Sequence, residues 1–117
     1  MAQLPNYLRS NRKRLALSQD EVAFLLGTRS GAKVNRHEHF VREPSLATAL
    51  GYVAIFQKPV TELFAGLYFR IEKDVAARAK TLTHRIHRGK PNAQALRKRQ
   101  TFINLATKQA SKSSTRS

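Results

Sequence analysis

Residues 15–27 read Leu15-Ala16-Leu17-Ser18-Gln19-Asp20-Glu21-Val22-Ala23-Phe24-Leu25-Leu26-Gly27, and they decide how the first half of the chain folds. Ser18 followed three residues later by Glu21 is a capping box. The hydroxyl accepts from the third amide of a helix while the carboxylate reaches back to the Ser amide. The helix so opened carries Val22, Ala23, Leu25 and Leu26. It ends at Gly27, a residue suited to the left-handed conformation that closes many helices.

Working outward, residues 6–16 predict a preceding helix, with Tyr7, Leu8 and Leu15 set among Arg9, Arg12, Lys13 and Arg14. On the other side, the polar stretch Thr28-Arg29-Ser30-Gly31 leads into a helix over residues 31–40. Its only apolar members are Ala32, Val34 and Phe40, and a helix that polar normally faces solvent or a polar ligand. Pro44-Ser45 starts a fourth helix to residue 56, with Leu46, Ala49, Leu50, Val53 and Phe56 at three- and four-residue spacing. Gln57-Lys58-Pro59 ends it.

From Val60 a single stripe, Leu63, Leu67, Ile71, Val75, Ala79, Leu82 and Ile86, predicts one unbroken helix to about residue 88. Such a helix would be roughly 40 Å long, more than a small domain needs. Gly89-Lys90-Pro91-Asn92 is a strong stop. A last helix over residues 92–109 has Leu96, Phe102, Ile103 and Ala106 as its apolar members. The Ser/Lys-rich residues 111–117 are low complexity and are expected to be disordered. There is no strand signal and no repeat.

At 117 residues the chain supports one domain with an appendage rather than two full cores. Its net charge of +15 is uneven. Residues 1–70 hold 10 basic and 5 acidic groups, whereas residues 71–117 hold 12 and 2, with no acid after Asp74. That excess predicts a polyanionic partner. Cysteine is absent, which excludes disulfide scaffolds, thiolate zinc sites and cysteine nucleophiles. No apolar run approaches the roughly 20 residues of a membrane span, and the first residues do not read as a signal peptide. The expectation is a cytoplasmic, nucleoid-associated protein with no membrane contact.

Two short helices closely linked, the second polar and basic, are the pattern of a DNA-binding helix-turn-helix. The residues resemble the Xre/Cro-type helix-turn-helix family of bacterial and phage transcriptional regulators. The likeness is carried by Leu15-Ala16-Leu17-Ser18-Gln19-Asp20-Glu21-Val22-Ala23, then Leu26-Gly27, Val34-Asn35-Arg36-His37-Glu38, Pro44-Ser45 and Leu63-Phe64. It covers about residues 6–65 and is silent on residues 70–117. It implies an all-α fold: a five-helix phage-repressor-like domain over residues 1–66, with a long fifth helix. Periodicity and composition, not the resemblance, predict a basic helical extension over 67–109 and a disordered tail over 110–117.

The resemblance also implies roles. The second helix would lie across the DNA backbone, with Gln19 on a phosphate. The third would enter the major groove with Arg29, Ser30, Gly31, Ala32, Lys33, Asn35 and Arg36 as the DNA-binding set. Lys33 and Arg36 suit guanine O6 and N7, and Ala32 a thymine methyl. Arg12 and Glu38 would form a partly buried structural ion pair between the first and third helices. The chain departs from the family pattern in two places. The segment from Gly27 to Glu38 is one residue longer, and Phe40 stands where the family often has Gly.

Other chemistry is not indicated. His84 and His87 are three apart and His37 and His39 two apart, but zinc needs three or four ligands. All four are expected to be surface histidines, with no metal and no cofactor. No nucleophile–base pattern or phosphate loop is present, so no catalytic residue is expected and the protein is not expected to be an enzyme. The function expected is sequence-specific binding of double-stranded DNA, with repression by promoter occlusion, as a homodimer paired through the stripe over residues 63–86; the stripe is also suited to packing against residues 93–106 of its own chain, and the two are compatible. Two alternatives are an antitoxin-like module whose extension binds a protein partner, and a nonspecific nucleoid-type binder.

Overall fold

The structure, a computed structural model, describes residues 4–86 and 92–115. Among these, every regular element is helical: α1 (Leu8–Arg14), α2 (Gln19–Leu26), α3 (Gly31–Glu38), α4 (Leu46–Phe56), α5 (Val60–Leu63), α6 (Ala65–Ile86) and α7 (Ala93–Thr115). The chain divides into two compact units, Met1–Tyr68 and Phe69–Ser117. No described helix is long and apolar enough to cross a membrane.

The first unit is built on Leu8, Val22, Ala23, Val34, Ala49, Tyr52, Phe56, Leu63 and Phe64, drawn from all of its helices. Tyr52 stacks on Phe56, with ring centroids 5.8 Å apart, and meets Phe64 edge-on at 6.4 Å. Such aromatic contacts add to area burial by about 0.5–1.5 kcal/mol each. The helix ends follow from local chemistry. Ser18 and Glu21 make both hydrogen bonds of the capping box, and Gly27 closes α2 at φ +79°. Ser45 caps α4 by accepting from the Thr48 amide. Leu46 and Leu50, part of the fourth-helix stripe, remain exposed, and the face that packs is Ala49, Tyr52 and Phe56.

The expected single helix from Val60 is broken at Phe64, whose φ of −116° and ψ of +44° leave the helical region. The reason is tertiary. Phe64 turns its ring into the core, and residues 4–7 cross the break and satisfy the backbone groups it frees. Tyr7 N donates to the Leu63 carbonyl (2.7 Å), while Gly66 N and Leu67 N donate to the carbonyls of Leu4 (3.0 Å) and Pro5 (3.4 Å). Helix ends leave such groups without intrahelical partners. Gly66 is required by this crossing, because a Cβ there would lie 2.2 Å from the Leu4 carbonyl oxygen.

The stripe over residues 63–86 is therefore not one surface. Leu63 is fully buried and Leu67 packs against the first core. Among the described residues of the second unit the buried positions are Ala76 and Ala79, while Ile71, Val75 and Leu82 are exposed. This corrects the expectation that the whole stripe is available for pairing two copies. The other end of the second unit also differs. No Gly or Pro follows Asn92, and α7 continues to Thr115, through most of the segment expected to be disordered. The stop over residues 89–91 and His87 lie outside the described residues.

Candidate nucleic-acid interface

Three helices position the residues singled out by sequence. Residues 27–30 link α2 to α3, and the first amide of α3 is not capped by Ser30, whose side chain makes no cap hydrogen bond. Gly31 N instead donates to Asp20 Oδ1 in the first turn of α2 (2.9 Å). This contact needs a glycine, since a Cβ on Gly31 would lie 2.7 Å from Asp20 Oδ1 and 2.9 Å from Gln19 Cβ. Gly31 is accordingly buried and is not part of an exposed reading face, contrary to the sequence expectation. Asp20 acts as an interhelical cap that local sequence rules do not reveal, because its partner is eleven residues away.

The other end of α3 is held by charge. Arg12 Nε meets Glu38 Oε2 at 2.5 Å and a second guanidinium nitrogen meets Oε1 at 3.2 Å. The Glu38 side chain is 1% exposed, so this is a desolvated, bidentate pair. The carboxylate hydrogen bond holds the Arg12 guanidinium above its ordinary range, against the opposing effect of burial. Arg12 also donates to the Leu17 carbonyl (3.0 Å). Gln19, expected on a DNA phosphate, donates its Nε2 to Glu38 Oε1 (3.1 Å) and is half-buried. Its amide thus completes the ion-pair network joining α1, α2 and α3.

The middle of α3 is anchored by His37, which is 1% exposed. The expectation of a surface histidine is wrong here, because His37 lies on the same inward arc as Val34. Its Nδ1 is 2.8 Å from the Tyr52 hydroxyl, and its ring meets Tyr52 edge-on. Its Nε2 is buried with no hydrogen-bond partner. Asn6, buried ahead of α1, donates to the His37 carbonyl (2.9 Å). Burial, followed by the fields of Lys33, Arg36 and Arg42, pushes the His37 imidazole below its ordinary value. Burial, with the Glu38 carboxylate, raises the Tyr52 phenol. His39 and His84 are exposed, with His39 Nδ1 donating to the Asn35 carbonyl (2.9 Å).

Held at its first amide, its middle and its last residue, α3 turns a contiguous surface outward. Ala32, Lys33, Asn35, Arg36 and His39 are exposed, as are Arg29 and Ser30 just ahead of the helix. At 100° per residue the exposed helical positions span about 160° of arc. That arc contains two cations, an amide, a methyl and an imidazole, and no acid. Sequence reasoning omitted His39, which the 32–36–39 spacing could have found. Phe40 follows with φ +54°, the left-handed conformation glycine adopts freely, and lines a groove with Leu4, Pro5 and Arg9.

A second surface lies on α2. Phe24 is 82% exposed beside exposed Leu25, and with Leu17, Asp20 and Glu21 they line a shallow groove of about 410 Å³. Among the described residues no three His, Asp or Glu side chains converge as a metal site. No protein-family model, curated protein or solved structure matches the chain.

Proposed function

We propose that this protein is a sequence-specific double-stranded DNA-binding regulator of the helix-turn-helix type, acting as a repressor by occupying promoter DNA. The observation that carries the reading is the construction of α3. Its inward arc is fixed by Asp20, the Arg12–Glu38–Gln19 network and His37–Tyr52, while its outward arc offers Ala32, Lys33, Asn35 and Arg36 without a carboxylate. A polar helix so rigidly mounted is suited to the major groove, which admits one α-helix. Arg36 and Lys33 match guanine O6 and N7, Asn35 can address an adenine edge, and Arg29 and Ser30 precede them towards the phosphates. Gln19 serves this site as a positioning residue through Glu38.

Site selection from random duplex DNA at about 150 mM salt tests the reading. The expected result is enrichment of a short motif, and Arg36→Ala should relax one base position by about 1–3 kcal/mol. Failure to enrich any motif, with binding as tight to random duplex, overturns specific regulation in favour of a nucleoid-type binder. Two copies on paired half-sites would draw on the exposed Ile71, Val75 and Leu82 rather than on the entire stripe.

The exposed Phe24 and Leu25 favour a second reading, an antitoxin-like module that also grips a protein through α2. Under it Phe24→Ser abolishes association with a small partner and leaves DNA affinity unchanged. Under the first reading alone Phe24→Ser changes neither.

A further inference from the structure

Helix α7 has a side that the DNA-binding reading of α3 leaves unused. Gln94, Arg97, Thr101, Asn104 and Lys108 follow one another at spacings of three, four, three and four. At 100° per residue these five fall within about 80° of arc. All five are exposed. Among the residues of this helix whose burial is described, the half-buried ones, Ala95, Phe102, Ile103 and Ala106, lie on its opposite side. The exposed arc is thus a polar and basic strip of about four turns, and no acid occurs in the chain beyond Asp74 to neutralise it.

Local hydrogen bonds organise the strip. Gln100 Nε2 donates to Asn104 Oδ1 (2.8 Å), which fixes the Asn104 amide by its oxygen. The Thr101 hydroxyl donates back to the Arg97 carbonyl (3.0 Å), so Thr101 gives the strip a low, uncharged centre. Arg97 and Lys108 stand eleven residues apart, about 16 Å along the axis, and so reach separate phosphates.

We propose that α7 is a second DNA-contacting element, laying this strip against duplex DNA with Arg97 and Lys108 on phosphates and Gln94 and Asn104 hydrogen-bonding between them. Three features select the duplex. Single strands are held by stacking on exposed aromatic rings, and the only aromatic residue of α7, Phe102, lies on the far side. The narrow major groove of A-form RNA does not admit a helix face of this kind. An interfacial membrane helix needs bulky apolar residues together on its outer face, whereas the exposed Leu96 and Leu105 flank the strip on opposite edges.

The test measures binding of the full-length chain to a random-sequence duplex about two helical turns long, across about 50–200 mM salt. Arg97→Gln with Lys108→Gln should lower the slope of log Kd against log salt by about 1.8, with helical content unchanged. That corresponds to a roughly twelvefold smaller change in Kd over the fourfold range. Lys98→Gln with Arg99→Gln removes the same charge from outside the strip and should lower the slope by less than half as much. Repeating both pairs on Lys33→Ala/Arg36→Ala separates the two surfaces. The strip's contribution persists there even if α3 does not read DNA. Equal slope losses from the two pairs, or none from Arg97/Lys108, overturn the proposal. So does displacement of the strip-dependent binding by duplex RNA or phosphatidylserine vesicles as readily as by unlabelled DNA.

Discussion

Residues 1–68 and 69–117 are both helical, but they bury different material. The first unit encloses Tyr52, Phe56, Leu8 and Leu63 completely and adds a desolvated ion pair and a buried histidine. In the second, the buried apolar side chains among the described residues are the methyls of Ala76 and Ala79, and most of the net charge belongs to it. A large buried side chain contributes about 1.5–3 kcal/mol through apolar area, an alanine far less. The first unit can therefore hold a polar helix in one pose while leaving that helix's outer face exposed. The second presents its charge along two long helices.

The largest effects should fall on the first unit's polar network. Glu38→Ala leaves the partly buried Arg12 without its carboxylate and is expected to cost about 3–5 kcal/mol, read from the urea midpoint. An unchanged midpoint would remove the network from the account of why α3 is rigid. Phe56→Ala should cost a similar amount, about 3–5 kcal/mol, while Val75→Ala on the exposed part of α6 should stay below about 1 kcal/mol. If the two costs converge, the contrast between the units is mistaken. If instead wild-type stability depends on protein concentration and Val75→Ala weakens that dependence, a second copy covers that face.

Gly66→Ala should be intermediate, about 1–3 kcal/mol, because residues 4–7 must move to admit a methyl where the backbone already sits. Hydrogen exchange should then quicken at Tyr7 and Gly66 before anywhere in α3.

The smallest effect is one of pH. The folded state holds the His37 imidazole below its ordinary value through burial and the neighbouring Lys33, Arg36 and Arg42, so the unfolded chain binds more protons. Stability should be unaffected above about pH 6.5 and fall as pH drops below it towards the depressed folded value. His37→Gln should flatten that segment of the pH profile. A wild-type urea midpoint equal at pH 5 and 7.5 would contradict the burial of a neutral ring whose Nε2 has no hydrogen-bond partner.

Much of the first unit was legible in local sequence because its signals are short-ranged. The capping box at Ser18, the Gly27 stop and the Ser45 cap each involve residues within a few positions of one another. Arg12 and Glu38 could be paired only through family resemblance, since 26 residues separate them. The site was legible in composition but not in pose. Arg29, Ser30, Ala32, Lys33, Asn35 and Arg36 are exposed as expected, whereas Gly31 is packed and Gln19 turns to Glu38. His37 was misread because a histidine on a polar helix carries no sequence mark of which side it occupies.

By itself the sequence determined an all-helical chain, the ends of its capped helices and a charge gradient rising towards the C-terminus, all consequences of local propensity and composition. Only the tertiary structure decided that the stripe from Leu63 breaks at Phe64. It alone buried His37, and it alone put Asp20 rather than Ser30 on the first amide of α3. The physical reason is common to all three. A periodic apolar pattern says that a face will be covered, but what covers it comes from distant segments. At Phe64 that segment is residues 4–7, whose backbone groups fit the break better than another helical turn would.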